Sequence, residues 1–385
     1  MARVVPNALD VGPRTASLNA LGLPAEALAK AGTTRATMKA ALLGLTHPHA
    51  SVLLATLDYL PEISAVCLWD PSPVGTHPPL VGRKVVQVTD DLNAVLDQTD
   101  LIFAVVAVPT DQAAAVEARV LAAGKHLLAE KPAGMSSAEI ARLAQTAARQ
   151  GLIASVLYPR RFHPCMLAAR ELLQTGELGT LLTAEARFLA TQVQFRSPDS
   201  WLFRRRESGG GILLWLGCHC LDLLQHVTGD EIAMVGAQLA IRSGEPIDVE
   251  DTAALTLRFR SGAVGTLLAG YTLAYSGSGY LNRTGYDSYL GINCLHGRVV
   301  WPDLNDRLIV ESPPPAGGSA LRELACPVPS SPAYAGAPGE AFFRQFLAAL
   351  AGQGSPPTTL ADAVRTARLV EAAELSSRSG QFVSV

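Results

Sequence analysis

Short apolar segments alternate with segments of helical spacing along residues 38–157. Leu101–Val108 is apolar throughout, which is typical of a parallel strand that is covered on both faces. Strands that alternate with helices predict βαβ units and a parallel sheet. The predicted strands are Lys39–Gly44, Ile63–Trp69, Lys84–Val88, Leu101–Val108, His126–Ala129 and Gly151–Leu157, and the predicted helices are His49–Tyr59, Asp91–Leu96, Gln112–Ala123 and Ser136–Gln150.

The pattern changes after residue 157, where strands follow one another with helices beside them. Ser261-Gly262 between two alternating segments predicts a β-hairpin. Residues 312–338 are rich in proline, glycine and serine, and we expect a long irregular connection there. The predicted strands are Thr180–Gln192, Ala233–Ile241, Thr252–Arg260, Ala263–Thr272, Tyr289–Cys294 and Arg298–Trp301, and the predicted helices are His163–Gln174, Ile212–Val227, Glu340–Ala351 and Leu360–Arg378.

These patterns predict a mixed α/β plus α+β protein with two domains. Residues 38–157 would form a first domain with a parallel sheet and helices on both of its faces. Residues 158–385 would form a second domain with a large, mainly antiparallel sheet. Residues 1–37 contain three prolines and no strand pattern, and we expect a loosely ordered extension there.

The composition narrows the classes of partner. Hydrophobic residues make up 49% of the 385 residues and charged residues 17%, which excludes a disordered chain. The formal net charge of −3 argues against a general nucleic-acid binder, which would carry a basic excess. The longest purely apolar run, Leu101–Val108, is far shorter than the ~20 residues of a membrane-spanning helix. We therefore expect neither a nucleic acid nor a membrane as partner.

The cysteines predict neither a disulfide scaffold nor a metal site. The chain has 6 cysteines, and none of them form a CxxC pair. Cys218-His219-Cys220 resembles a metal tripod, but adjacent residues on a helix point about 100° apart and cannot converge on one ion. The N-terminus shows no secretory signal pattern, so we expect a cytoplasmic protein.

The first candidate site is the turn between the first predicted strand and helix. A dinucleotide pyrophosphate binds at such a turn, usually through a GxGxxG sequence. Here only the first of the three glycines is present, as Gly44, and Thr46 and His49 stand at the other two positions. Pro48 suits a first helical turn. Asp70 closes the second strand, where an acidic residue binds the ribose hydroxyls.

Two further signals concern Lys131 and one helix face. Lys131 follows a predicted parallel strand and so would lie at the carboxyl edge of the sheet, where ligands bind in doubly wound folds. By itself, a lysine at a strand end is more often a solvated surface charge. Trp215, His219, Asp222 and His226 share one helix face by their spacing. His219 could be a buried structural histidine or a general base near Lys131.

Together these residues resemble the glucose–fructose oxidoreductase / inositol dehydrogenase family, often called Gfo/Idh/MocA. The resemblance extends over nearly all of residues 38–385. It is carried by AGKHLLAEKP at 123–132, RFHP at 161–164, GGGILLWLGCHCLDLL at 209–224 and PPTTLADAVRTARLVEAAELSSRSG at 356–380. It implies an N-terminal Rossmann domain that binds NAD(P) and a C-terminal domain whose sheet is also a dimerisation surface. It further implies oxidation or reduction of sugars, cyclitols or similar polyols.

The resemblance assigns roles to individual residues. Lys131 would hydrogen-bond the reacting oxygen, and His219 would be the acid–base group. The remaining implied sites are a cofactor set, Gly44, Thr46, His47, His49, Asp70, Val108, Pro109, Glu130 and Lys131, and a substrate set, Tyr158, Arg161, Trp215 and Asp222.

Trp215 is a departure from the family pattern, which has an acidic residue at this position. We expect the indole to form a wall of the substrate pocket, or else to fill the core between the domains. In the first case Asp222 would orient His219. Asp70 is followed by Pro71 and Ser72, with no arginine to neutralise a phosphate, so we predict NAD rather than NADP.

Two alternatives to a polyol dehydrogenase remain at this point. One is a non-catalytic NAD(P)-binding sensor or structural protein of the same fold. The other is NAD-assisted cleavage of a glycoside, in which a transient oxidation labilises the glycosidic bond and the cofactor is regenerated. In each case we expect a homodimer or homotetramer formed through the C-terminal sheet.

Overall fold

The structure is a computed structural model that describes residues 37–72, 81–274, 285–302, 306–314 and 318–385. The extension predicted for residues 1–37 lies outside the described residues, except for its last residue.

The N-terminal sheet has six parallel strands in the order β3-β2-β1-β4-β5-β6. This order confirms the predicted Rossmann-type fold. Because the chain leaves β1 on one side and returns to β4 on the other, the carboxyl ends of these two strands border a crevice. The strands are β1 Met38–Leu43, β2 Ile63–Trp69, β3 Val85–Thr89, β4 Leu101–Val106, β5 His126–Ala129 and β6 Ala154–Val156, and the helices are α1 Ala50–Tyr59, α2 Leu92–Leu96, α3 Thr110–Ala122 and α4 Ser137–Gln150.

The C-terminal sheet has nine strands in the order β14-β13-β12-β11-β7-β10-β9-β8-β15. It is antiparallel except for the pair of β7 and β10, as predicted, and β9 and β10 form the hairpin around Ser261-Gly262. The strands are β7 Leu181–Thr191, β8 Ile232–Ala240, β9 Thr252–Phe259, β10 Val264–Leu273, β11 Tyr286–Cys294, β12 Gly297–Pro302, β13 Arg307–Glu311, β14 Leu321–Ala325 and β15 Val383–Ser384.

The helices of the second half are α5 Pro164–Gln174, α6 Arg205–Ser208, α7 Cys218–Thr228, α8 Gly336–Leu350 and α9 Leu360–Ser379. The expectation of an irregular connection over 312–338 was partly wrong. β14 lies inside it and α8 begins before its end, since a short edge strand and a glycine-rich first helical turn both read as loop in the sequence.

The last two helices tie the two halves together. On α8, Phe342, Phe343 and Phe346 are fully buried in the core of the parallel sheet, where Phe346 packs edge-on against Phe103 at 5.3 Å between ring centroids. α9 packs against both α4 and β8. The chain passes from the first sheet to the second between β6 and β7, and α8 and α9, which follow β14 in the chain, pack back against the first half. Across the described ranges, no helix is long and apolar enough to cross a membrane.

Candidate active site

The turn after β1 brings two strand ends into close contact. Gly44 has φ +104°, and a Cβ built there would lie 2.1 Å from the carbonyl oxygen of Ala107, which follows β4. A side chain is therefore excluded on both conformational and steric grounds. Val108 packs against the same turn, and Pro109 directly precedes α3. This bare backbone at the carboxyl ends of β1 and β4 fits a dinucleotide pyrophosphate.

Asp70 stands at the end of β2 beside this turn. Its two carboxylate oxygens accept hydrogen bonds from the backbone N–H groups of Leu45, at 2.8 Å, and Ser72, at 3.0 Å. The buried carboxylate thus holds the turn against β2, and each oxygen keeps a second lone pair for a ribose hydroxyl. Thr46, at the tip of the turn, is exposed.

His47, His49 and Glu130 form a polar cluster next to the turn. Glu130 Oε1 is 2.7 Å from His49 Nδ1, and Glu130 Oε2 accepts from the backbone N–H of Lys131 at 2.9 Å. Burial raises the pKa of the Glu130 carboxyl, but the neighbouring His49, His47 and Lys131 outweigh it and hold this pKa at about 2. Burial lowers the pKa of His47 to about 3, so this ring is neutral.

The same three side chains present ligand atoms within 4.8 Å of one another. That spacing suits a metal ion, but the hydrogen bonds just described already use both oxygens of Glu130. His47 Nδ1 likewise accepts from the backbone N–H of His49 at 3.1 Å. The cluster is therefore held together by hydrogen bonds within the protein.

Lys131 follows β5 and lies at the centre of the site, with only 2% of its surface exposed. Its ammonium group donates to the carbonyl oxygen of Trp215 at 3.0 Å and stands 4.0 Å from the centroid of that indole ring. Burial lowers the pKa of Lys131, and Cys218 and Glu130 oppose this change. The burial of Lys131 thus argues against a solvated surface charge and agrees with the site role that the resemblance implies.

The segment that carries Trp215 and His219 is not a continuous α-helix. Leu213–Gly217 is a π-helical turn, and α7 begins at Cys218. In a π-turn the spacing of four residues is less than one full turn, so the single face predicted for Trp215 and His219 is not kept. The widened turn presents the Trp215 carbonyl to Lys131, which no helical periodicity could reveal.

Glu250 anchors the start of this segment. Its carboxylate accepts from the backbone N–H groups of Gly211, at 2.9 Å, and Leu213, at 3.2 Å, which are free donors at the helix start. A Cβ at Gly211 would lie 1.9 Å from the Glu250 carbonyl oxygen, so the close approach requires glycine here. The sequence analysis did not single out Glu250.

His219 is buried on α7, and its Nδ1 has no hydrogen-bond partner among the described residues. Its ring meets the ring of Tyr158 edge-on at 5.8 Å. Burial lowers the pKa of His219 well below its usual value, and the positive charges of Arg160 and Lys131 lower it further. The imidazole is therefore neutral, and its Nδ1 is available for a hydrogen bond.

Asp222 does not orient His219, which corrects our expectation. Both of its oxygens accept from Arg161, through Nε at 2.8 Å and through Nη2, and Arg161 also bonds Asp362 of α9 at 3.0 Å. All three side chains are buried, so this network joins α7 to α9. Burial raises the pKa of Asp222, although Arg161 opposes the rise. Helical spacing could not show that Arg161 stands opposite Asp222.

Trp215 is 5% exposed and packs against two other rings. Its ring lies 5.2 Å from that of Trp201 and 5.8 Å from that of His47, and its Nε1 lacks a partner among the described residues. Trp201 lies on a short helical turn in the connection between β7 and α6. The sequence analysis missed Trp201 because nothing local marks it.

A doubly wound sheet with a glycine-tight turn at its switch point and a buried lysine at a neighbouring strand end defines a dinucleotide-binding protein of the Rossmann class. Comparison with protein families agrees. Residues 38–158 match the oxidoreductase family with an NAD-binding Rossmann fold, and residues 166–294 match the GFO/IDH/MocA C-terminal domain. The chain belongs to the Gfo/Idh/MocA family, and its N-terminal domain is an NAD-binding domain.

Curated relatives match part of the chain. A levoglucosan dehydrogenase from Pseudarthrobacter phenanthrenivorans is 26% identical over 204 residues, 47% of this chain and 52% of its own length. A trans-1,2-dihydrobenzene-1,2-diol dehydrogenase from Mus musculus is 32% identical over 168 residues, 43% of this chain and 47% of its own. The chain thus spans about half the length of these relatives.

Solved structures match nearly the whole fold. An oxidoreductase domain protein from Kribbella flavida has a TM-score of 0.80 at 23% identity, covering 91% of this chain and 99% of its own. A levoglucosan dehydrogenase in complex with NADH and levoglucosan has a TM-score of 0.77 at 22% identity, with the same coverage. At these identities, the similarity shows that the chain shares the fold of these proteins.

Proposed function

We propose that the protein is an NAD-dependent oxidoreductase that transfers hydride between the nicotinamide and a hydroxyl or carbonyl group of a sugar, cyclitol or similar polyol derivative. One observation carries the proposal. Lys131 and His219 are polar side chains buried at the carboxyl edge of an NAD-binding sheet, and His219 keeps a nitrogen without a partner among the described residues. Such burial is costly, and it is common where a site serves chemistry.

Each residue of this site would have its own role in the oxidation of an alcohol. The bound NAD would accept the hydride from the carbinol carbon. Lys131 Nζ, held by the Trp215 carbonyl, would hydrogen-bond the alcohol oxygen and stabilise its developing negative charge. His219, which is neutral, would take the hydroxyl proton. The buried setting would exclude water from these groups.

The cofactor turn supports NAD over NADP. Asp70 is the side chain at the ribose position, and a 2′-phosphate beside its carboxylate would meet like charge. Gly44, Thr46, His47, His49, Val108, Pro109 and Glu130 would complete the cofactor site, and Tyr158 and Trp215 would border the substrate. Arg161 and Asp222 would instead hold α7 in position, because their side chains are hydrogen-bonded to each other.

The substrate class is supported by the names of relatives. They include the levoglucosan and dihydrodiol dehydrogenases above and a D-xylose dehydrogenase from Paenarthrobacter nicotinovorans that is 28% identical over 228 residues. Each name describes oxidation of a hydroxyl group on a small molecule. By analogy, this chain would act on a related cyclic hydroxy compound.

Substitution of the two central residues tests the proposal. In the full chain, Lys131→Met and His219→Ala should each lower kcat by ~10²-fold, the usual scale for a positioned acid–base group. Binding of NADH, followed by fluorescence titration, should stay within a few-fold. Lys39→Met and His226→Ala are matched controls, because Lys39 pairs with Asp100 at the opposite edge of the sheet and His226 lies near the end of α7.

Three results would contradict the assignment or part of it. A protein that binds NADH but turns over no member of a polyol panel would be a sensor, and a glycoside cleaved without net NADH would indicate NAD-assisted cleavage. If His219→Ala kept its activity while Lys131→Met lost it, proton transfer would belong to another group.

The outer face of the nine-stranded sheet suits a second copy of the chain. Val264 and Leu268 are exposed on this face, and Leu268 lines a cavity of about 640 Å³ together with Glu185 and Arg187. We infer a homodimer or homotetramer through this face, which light scattering after size exclusion would measure.

All six cysteines are buried thiols, which agrees with a cytoplasmic location.

A further inference from the structure

Arg160 stands at the same edge of the parallel sheet as Lys131. It lies on a short helical turn, Pro159–Phe162, that comes shortly after β6 in the chain. Because β6 pairs in parallel with β5, the two cationic side chains follow neighbouring strands at their carboxyl ends. In agreement with this placement, the positive charge of Arg160 adds to burial in lowering the pKa of both Lys131 and His219.

The Arg160 guanidinium has no carboxylate partner among the described residues. It lies over the ring of Phe188 on β7, 4.5 Å from the ring centroid. Beyond the effect of burial, Arg160 lowers the pKa of His163 and Asp306 raises it, but the two form no ion pair with each other. Arg160 is partly exposed, so a ligand can reach it. A partly buried cation without a countercharge is costly, and such groups are common at sites that bind a ligand.

Glu130 offsets only one of the two positive charges at this edge. Its carboxylate contacts His49 Nδ1 at 2.7 Å and the backbone N–H of Lys131 at 2.9 Å. One carboxylate balances one cation, so Arg160 is left as an excess charge.

The buried carboxylates near α7 do not change this balance. Asp222 and Asp362 share Arg161, and Asp362 also bonds Arg365. Two carboxylates thus meet two guanidinium groups. The site keeps an excess of one positive charge among the described residues, which suits a ligand with one negative charge.

A second polar group lies beside the ring that Arg160 covers. Ser288 on β11 is directly opposite Phe188 on β7 in the antiparallel register, so their side chains leave the sheet on the same face. The Ser288 hydroxyl is buried and has no partner within the described part of the chain. A guanidinium fork matches the two oxygens of a carboxylate, and a hydroxyl can donate one further hydrogen bond to it.

Resting on the proposed function, we propose that the substrate is a polyhydroxy acid whose carboxylate binds to Arg160 and Ser288. The reacting hydroxyl is on another carbon and lies against Lys131 and His219. Its oxidation to a carbonyl breaks the C–H bond, with the hydride passing to NAD and the hydroxyl proton to His219. The carboxylate itself is unchanged by the reaction.

Matched pairs of acids and neutral polyols test this substrate class. The pairs are D-glucuronate with D-glucose, D-galacturonate with D-galactose and D-gluconate with D-glucitol, which differ only by a carboxylate in place of a CH2OH group. In initial rates with NAD, the acid of the preferred pair should have at least about tenfold higher kcat/KM, the effect of one charge-assisted hydrogen bond. The methyl ester of D-glucuronate should lose the advantage that its acid has over D-glucose.

Variants of Arg160 identify the carboxylate-binding group. Arg160→Met should bring the ratio of acid to neutral polyol close to one, by lowering kcat/KM for the acid and leaving the neutral compound within a few-fold. Arg160→Lys keeps the charge without the fork and should keep part of the preference. Ser288→Ala should lower the ratio by a smaller factor. Arg119→Met is the control, because Arg119 is exposed on α3 and bonds Asn93 there.

Three outcomes would overturn the inference: no pair in which the acid is preferred, a preference that Arg160→Met leaves unchanged, or higher kcat/KM with D-glucose 6-phosphate than with D-glucuronate. The methyl ester tests the same charge in the unsubstituted protein, so the inference stays open to refutation even if Arg160→Met folds poorly.

Isothermal titration of the protein–NADH complex with the same pairs separates this inference from the proposed function. Turnover of neutral and acidic polyols alike would leave an oxidoreductase without a carboxylate site. Binding that favours the acid and depends on Arg160, with no turnover of any polyol, would leave the carboxylate site and remove the enzyme.

Discussion

Replacing Glu117 by glutamine should stabilise the protein, and more so as pH rises. Glu117 lies on α3, has no exposed surface, and neither of its carboxyl oxygens has a hydrogen-bond partner among the described residues. Burial alone raises the pKa of this carboxyl well above its usual value. The folded protein therefore holds Glu117 protonated at pH values where the unfolded chain has released the proton.

The sign and size of the effect follow from proton linkage. Below the unfolded-state pKa of about 4.3, both states are protonated and the group adds no pH dependence. Above it, the folded state binds the extra proton, so the free energy of unfolding falls by about 1.4 kcal/mol per pH unit until the folded carboxyl also ionises. Glutamine has nearly the same shape as protonated glutamate, but its side chain does not ionise. Within that window, a rise of two pH units should increase the difference in free energy of unfolding between Glu117→Gln and the unsubstituted protein by about 2.7 kcal/mol.

Urea unfolding at a series of pH values from 5 to 8 measures this difference. The stability of Glu117→Gln minus that of the unsubstituted protein should be small at the acid end and grow with pH. Asp111→Asn is the control, because Asp111 is exposed on the same helix. A difference that does not depend on pH would refute the reasoning, because it would mean that Glu117 ionises alike in the folded and unfolded states.

Three further predictions concern the site. Gly44→Ala should abolish NADH binding in a fluorescence titration, whereas Gly124→Ala, with φ +70° and nothing within 4 Å of the new Cβ, should bind NADH normally and lose only a little stability. Equal NADH affinity in both variants would contradict a role for the tight turn. Asp222→Asn should lower the free energy of unfolding by about 3 kcal/mol, because it weakens a buried pair with Arg161. The pH profile of kcat should stay unchanged in this variant. A shifted profile would indicate that Asp222 does orient His219. NADH should bind at least about tenfold more tightly than NADPH, and Asp70→Ser should narrow the ratio, because the like charge beside the 2′-phosphate is removed; equal affinities in the unsubstituted protein would contradict the role of Asp70.

The arrangement of the two sheets was predictable because hydrophobic periodicity reports which faces of a strand or helix are buried. β2 was predicted at its observed bounds, and the hairpin at Ser261-Gly262 was predicted by its turn residues. The placement of Lys131 at the carboxyl edge followed from the parallel topology. These features depend on contacts that are local in sequence or on rules that hold for the whole class of fold.

Local pattern could not supply the partners of the buried charged groups. Asp222 was expected to face His219 because both lie on one helix, but the charge of Arg161, 61 residues away, draws the carboxylate to itself. The π-turn at Leu213–Gly217 breaks the assumed spacing, and Trp201 joins the site from a connection with no distinguishing motif. A side chain's neighbours across the fold, and hence its pKa and its hydrogen bonds, depend on how distant elements pack, and a periodicity of 2 or 3.6 residues contains no information about them.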